Sequence, residues 1–306
     1  MTPKMDERER FRGCLLGLAC GDAVGTTVEF LPRGTFNPVT DMTGGGPFGL
    51  RRGEWTDDTS MALCLAASLT ELGRFDAKDQ MLRYCKWVDE GYLSSNGRCF
   101  DIGNTTRSGL SRFKQSGEPF SGQTDHYSAG NGCIMRLAAV PMFFYPDLEA
   151  ATKMSGESSR TTHGAEECVQ ASRLLGGILF QALAGQDKKD ILLDHRVTDL
   201  TSESVHAVAL GGYRSKSEDE IRGSGYVTEC LEAALWCFWQ TTSFRDAVLK
   251  AVNLGDDADT TAAVCGQVAG AFYGETGIPP EWLEHLVMRD DIRSFADRLY
   301  EYRPEP

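Results

Sequence analysis

Asp256, Asp257 and Asp259, with Thr260 and Thr261, put three carboxylates and two hydroxyls into six consecutive positions. The chain then runs directly into Ala262-Ala263-Val264-Cys265-Gly266-Gln267-Val268-Ala269-Gly270-Ala271, a small, apolar, proline-free stretch that reads as a closely packed buried helix. Asp and Thr at a helix start cap free N–H groups and favour the dipole, and capping uses one or two of them. Three carboxylates crowded at a buried helix mouth ask for more, because two unit charges about 4 Å apart repel by roughly 4 kcal/mol at an effective dielectric near 20. A positive partner is expected there. A second stretch, Gly53-Glu54-Trp55-Thr56-Asp57-Asp58-Thr59-Ser60, has the same build and leads into the apolar run from Met61 to Leu69. Two helix starts aiming carboxylate and hydroxyl oxygens at one point make a hard-oxygen site suited to magnesium, manganese or calcium rather than zinc. Four carboxylates would balance the charge of two divalent cations.

Other polar residues each admit two readings. Glu29, flanked by Val28 and Phe30, is either an exposed edge residue or a carboxylate held in a pocket. Asp101 precedes a helix expected near 105–115, and either caps it or serves a site. The turn Gly130-Asn131-Gly132 before the apolar run Ile134 to Val140 is expected to open a helix and leave backbone amides free around a phosphate-sized site. It is not the dinucleotide-binding glycine fingerprint, since no strand precedes it and the third glycine is missing. His163, in Ser158-Ser159-Arg160-Thr161-Thr162-His163-Gly164, is either a satisfied structural histidine or a site residue.

The elements that must position these groups read as helices. Glycines at 13, 17, 21 and 25 recur every four residues and form one stripe on a helix, a packing face that lets another backbone come close. Residues 57–72 and 76–92 are expected helices, the latter with Met81, Leu82, Tyr84, Cys85 and Val88 spaced for one face. A further helix is expected to open at Ser158–Gly164 and run to about 184, with others over Leu231–Trp239, 244–252 and 288–301. Residues 31–55, rich in proline and glycine, read as an irregular loop, and 185–222 as a helix plus an exposed loop. No convincing alternating strand is found. The expected architecture is all-α: a single compact orthogonal multi-helix domain over 1–306, with its core at about 11–275 and a dinuclear metal site in a central cleft.

Composition narrows the function. At 306 residues with 41% hydrophobic and 25% charged residues, the chain resembles an ordinary globular protein able to bury a sizeable core. A net charge of −13 with no Lys/Arg block argues against nucleic acid or an anionic membrane as partner. The ten cysteines are scattered without a C-x-x-C pair, as expected of buried free thiols in a reducing cytosol. The charged N-terminus has no signal-peptide core and no run approaches a membrane span, so a cytoplasmic location is expected. A monomer is the expected state.

Five separated segments in this order resemble the ADP-ribosylglycohydrolase family. They are G-D-A-x-G-x-x-x-E at Gly21–Glu29, W-T-D-D-T at 55–59, G-N-G-x-x-M-R at Gly130–Arg136, T-H-G at 162–164, and D-x-D-T before a small-residue helix at Asp257–Thr260. Within the family, F-D-I-G-N-T-T at 100–106 and G-S-G-Y-V at 223–227 are similar to the dinitrogenase reductase-activating glycohydrolases, which cleave ADP-ribose from arginine. The resemblance implies a metal-dependent hydrolase that removes ADP-ribose from arginine side chains of modified proteins. It implies two divalent ions, Mg2+ or Mn2+, held by Thr56, Asp57 and Asp58 on one side and Asp257, Asp259 and Thr260 on the other. Glu29 and Asp101 are the implied acid/base carboxylates. Gly130, Asn131, Gly132, Met135 and His163 would bind the substrate around its diphosphate, and Tyr226 would border the ribose and the arginine. Asp256 stands where the family often has glycine, so either Asp256 or Asp257 could be the ligand; the D-x-D-T spacing selects Asp257.

The chemistry agrees with these assignments. N-glycosidic hydrolysis passes through an oxocarbenium-like state and needs one carboxylate for water and an acid for the leaving group. Competing readings are a hydrolase of O-linked ADP-ribose (serine-linked, poly(ADP-ribose) or O-acetyl-ADP-ribose), and a non-catalytic module binding ADP-ribosylated partners or a toxin. A haloacid dehalogenase-type phosphatase is set aside, because that acidic motif ends a strand near the N-terminus rather than opening a late helix.

Overall fold

The computed structural model describes residues 5–302; residues 1–4, part of the N-terminal stretch read above for a signal sequence, lie outside it. Its α-helices, in order, are α1 Glu7–Gly25, α2 Asp57–Leu72, α3 Ala77–Glu90, α4 Asn104–Ser116, α5 Ala139–Phe144, α6 Leu148–Arg160 and α7 Glu166–Leu183. There follow α8 Lys188–Leu193, α9 Glu203–Ala209, α10 Val227–Gln240, α11 Phe244–Val252, α12 Ala258–Tyr273, α13 Pro280–His285 and α14 Arg289–Glu301. Among the described residues only isolated β-bridges occur, so the fold is all-α as expected. No helix is long and apolar enough to cross a membrane among these residues.

The centre of the fold is the contact between α1 and α12. A Cβ on Gly13 would lie 2.2 Å from the Gly270 carbonyl oxygen, one on Gly17 2.3 Å from that of Gly266, and one on Gly21 2.1 Å from that of Ala262. At Gly25 the nearest atom is the Cα of Asp259, at 2.4 Å. The glycine stripe is therefore the packing face the sequence implied. Its partner is the small-residue helix behind the acidic cluster, and the stripe ends against a candidate site residue. No side chain separates the two backbones, so α1 fixes the first turn of α12 with little play.

Loops complete the frame. Phe30 N donates to Asp256 O at 2.7 Å and Asp256 N to Leu31 O at 2.9 Å, tying the strip after α1 to the start of α12. Asn131 N donates to Gly225 O and Val227 N to Ala129 O, both at 3.0 Å, and Asp257 N donates to Gly223 O at 2.9 Å. The 223–227 loop thus joins the Gly130 turn to the acidic mouth of α12. All ten cysteines are free thiols; eight are buried as expected, whereas Cys85 and Cys99 are half-buried.

Three local expectations are corrected. The helix expected from Ser158 starts later: Ser158–Arg160 close α6, and α7 begins at Glu166. The intervening hydroxyls compete for the backbone, with Thr161 Oγ1 donating to Ser158 O at 2.7 Å and Ser159 Oγ to His163 O at 2.8 Å. The Gly130 turn opens not an α-helix but a single 3-10 turn, Asn131–Cys133, before α5. The 185–222 stretch holds two short helices rather than one, α8 and α9, with further 3-10 turns.

Candidate active site

The two acidic stretches meet. Thr56 is the N-cap residue of α2 and Asp257 that of α12, yet neither side chain makes a capping hydrogen bond to its own helix. Their oxygens reach across instead. Thr56 Oγ1 lies 3.2 Å from Asp259 Oδ2, and Thr260 Oγ1 donates to Asp58 Oδ1 at 3.2 Å, so each mouth offers a hydroxyl to the other's carboxylate. Helix starts about 200 residues apart thereby form one cage.

The α2 mouth is capped from outside by a residue that had been assigned no role. Asp22, fully buried on α1, accepts from Thr56 N at 2.9 Å and Thr59 N at 3.0 Å. The Thr59 hydroxyl donates to it at 2.6 Å, and Thr56 Oγ1 lies 2.9 Å away. The acidic residue in Gly21-Asp22-Ala23 was the available signal: a carboxylate inside a glycine stripe has no solvent to face.

Above the cage lies a cleft of about 360 Å³. Glu29, Asp57, Asp101, Asp257, Asp259 and Thr260 line its acidic side, and Gly130, Asn131, Gly132, Met135 and His163 the other. Phe30, Ile102, Asn104, Thr105 and Thr106 also line it, the last four from the F-D-I-G-N-T-T segment, and none of the five had been assigned a site role. Thr56 and Asp58 are buried and do not line the cleft. Asp256 is exposed, whereas Asp257 lines the cleft and accepts from Asn131 Nδ2 at 2.8 Å.

Two further readings resolve. Glu29 is buried rather than at an edge. Asp101 does not cap α4, whose N-cap is Gly103. Carboxylate oxygens of Glu29, Asp101 and Asp259 gather within 4.8 Å of one another.

Electrostatics marks this as a place for a cation. Burial, then the charges of Asp101 and Asp257, push Glu29 up to about 10. Burial, then Asp22 and Asp257, push Asp101 up to about 7. Asp57, Asp58 and Asp259 are also raised well above the carboxylate range, first by burial and then by neighbouring carboxylates, led by Asp101 for Asp57, Asp22 for Asp58 and Glu29 for Asp259. Asp58 Oδ2, Asp259 Oδ1 and Glu29 Oε2 are buried without a hydrogen-bond partner. Buried carboxylate oxygens left bare among like charges suit a hard cation, and Glu29, Asp101 and Asp259 together could hold a metal ion.

The opposite side has other properties. The backbone N–H groups of Gly130 and Asn131 are not free, as the sequence reading expected, but donate to Ser128 O and Gly225 O. The glycines there make room for a ring: a Cβ on Gly132 would lie 2.8 Å from His163 Cε1 and 3.0 Å from its Nε2. His163 is buried and held neutral, its pKa lowered to about 3 by burial and by Arg136. Tyr226 pairs with Gly130 through a β-bridge, but its hydroxyl donates to Glu167 Oε1 at 2.6 Å and its side chain is not part of the cleft lining. The Tyr226 side chain is thus held by Glu167 rather than by a residue of the cleft lining.

The family profile described as ADP-ribosylglycohydrolase matches residues 3–306. The chain belongs to the ADP-ribosylglycohydrolase family. It is 47% identical over its full length to the ADP-ribosylarginine hydrolase Tri1 of Pseudomonas putida (strain GB-1), covering 81% of that protein. It is 33% identical to the ADP-ribosyl-[dinitrogen reductase] glycohydrolase of Rhodospirillum rubrum, over 95% of each chain. A solved structure, an ADP-ribosylglycohydrolase-related protein complex, superposes with a TM-score of 0.84 at 41% identity, covering 97% of this chain and 98% of that one. The fold that surrounds the two acidic mouths is thus the ADP-ribosylglycohydrolase fold.

Proposed function

We propose that this ADP-ribosylglycohydrolase is an ADP-ribosylarginine hydrolase, releasing ADP-ribose from arginine side chains of modified proteins in the cytoplasm as a monomer. The observation that carries the reading is the crossed pairing of the two helix mouths, with bare buried carboxylate oxygens directly below a cleft that also holds Glu29 and Asp101. Thr56, Asp57 and Asp58 would hold divalent ions, two of Mg2+ or Mn2+, together with Asp257, Asp259 and Thr260. When bound, such ions supply Lewis acidity and a fixed grip on vicinal hydroxyls such as those of a ribose.

The remaining chemistry belongs to side chains. Glu29 takes a proton from the attacking water as its oxygen bonds to the anomeric carbon. The carbon–nitrogen bond breaks with its electron pair going to the nitrogen, and the neutral guanidine so formed takes up the proton that Glu29 removed from water, leaving as a protonated arginine and restoring the Glu29 carboxylate. Asp101 contacts the guanidinium and keeps it cationic until the bond breaks. The Gly130–Gly132 turn, Met135 and His163 border the diphosphate end. The test is a panel of defined linkages, assayed with magnesium and with manganese. Release of ADP-ribose from arginine-linked peptide is expected; release from serine-linked peptide alone would sink the reading.

A further inference from the structure

Arg136 is fully buried, yet no carboxylate pairs with it among the described residues. Its Nη2 donates to Thr162 Oγ1 at 2.7 Å and Thr161 Oγ1 at 3.2 Å and lies 3.4 Å from Ser158 O, while the guanidinium stacks 4.8 Å over the Tyr84 ring. A buried cation surrounded only by neutral acceptors is uncommon, since burial of a charge is normally offset by an opposite one. Its shortest contact continues onward: Thr162 Oγ1 lies 2.8 Å from His163 Nδ1.

We propose that Arg136 is a positioning residue that, through Thr162, locks His163 with its proton on Nε2, so that the ring offers a hydrogen-bond donor to the Gly130–Gly132 side of the cleft. A guanidinium has only donors, so Thr162 Oγ1 must accept from it. The hydroxyl hydrogen then needs an acceptor in a fully buried site, and Nδ1 is the one within reach. Were Nδ1 itself protonated, that hydroxyl hydrogen would be left unpaired. The charge on Arg136 also polarises the hydroxyl and strengthens its donation. The Nε2 edge of the ring faces Gly132 and Gly130, whose added Cβ atoms would lie 3.0 and 3.4 Å from Nε2. A neutral histidine donating from that nitrogen suits an anionic oxygen such as one of a diphosphate, and this part rests on the proposed function.

The test uses the magnesium-loaded full chain. Nitrogen-15 spectra of histidine-labelled protein, with His163 assigned by its loss in His163→Asn, are expected to show Nε2 protonated and Nδ1 not. Thr162→Val removes the link while leaving Arg136 its contacts to Thr161 and Ser158. It should shift the ring towards the other tautomer and weaken ADP-ribose binding about tenfold, the loss of one oriented hydrogen bond; Thr162→Ser should restore both. Arg136→Lys should act in the same direction, and if it does not fold, Thr162→Val decides alone. Protonation at Nδ1 in the wild type, or an unchanged tautomer in Thr162→Val, overturns the relay. Failure of the wild-type protein to bind ADP-ribose counts instead against the proposed function, and the relay is then judged on the ring nitrogens alone.

Discussion

Glu29 and Asp101 carry the heaviest functional expectation and can be tested separately. Glu29→Gln and Asp101→Asn should each lower turnover on ADP-ribosyl-arginine by about 10²–10⁴-fold while the protein stays folded, measured by ADP-ribose release. Their titration gives a second prediction. Both hold a proton more tightly in the metal-free native protein than in the unfolded chain, Asp101 up to about 7 and Glu29 up to about 10. The native state therefore binds more protons, and their contribution to stability is full below the ordinary carboxyl range and lost as pH rises towards those values. In chelator the urea midpoint should fall between about pH 5 and about pH 9, and divalent metal should reverse that trend because it replaces the protons. A flat profile would mean that the cleft is better solvated than its geometry implies. Residue types left each of these carboxylates with two readings, and the family resemblance supplied the acid/base role. Whether Asp101 capped a helix depended on the position of Gly103, and the direction of Tyr226 depended on Glu167, 59 residues earlier.

Two elements hold the cage in register, and each makes a prediction. Asp22 on α1 serves as the distant cap of α2, so Asp22→Ala should cost about 1–3 kcal/mol, the penalty for leaving buried donors unpaired, and should weaken manganese binding in calorimetry. Gly17→Ala pushes a methyl into the Gly266 carbonyl oxygen, 2.3 Å away, and should cost about 1–3 kcal/mol or more in denaturant unfolding. Gly212→Ala, with nothing within 4 Å, should stay within about 0.5 kcal/mol and serves as the control. The four-residue glycine period was legible because a helix turns every 3.6 residues, so the stripe declares itself locally. The identity of its partner was not legible, since a small-residue helix fits any glycine face of matching spacing. The crowding of acidic groups beyond what capping uses led to the expectation that the two mouths converge, but the crossed pairing of Thr56 with Asp259 and of Thr260 with Asp58 is a tertiary fact. Helix α6 was missed, and the amphipathic stripe of Leu148–Arg160 could have revealed it.

At the scale of the molecule, ligand occupancy and folding should be coupled. Stripping divalent metal leaves several buried carboxylates facing one another, so manganese at about 100 times its dissociation constant should add about 2.7 kcal/mol of stability, seen as a raised melting temperature. No shift on adding metal would remove the ion cage from the account. The all-α class was readable in the sequence because its helical periods are long and no alternating strand competes with them. A central cleft was expected, but most of its lining was not readable, because it joins helix starts to loops whose meeting depends on backbone bonds such as Asn131 N to Gly225 O. The union of α1 with α12 has one more consequence. Helix α1 meets α12 only after every element between them has been made. A nascent or truncated chain that stops before Ala258 therefore owns just one jaw of the ion trap, and tight capture of manganese would signal that synthesis has passed α12.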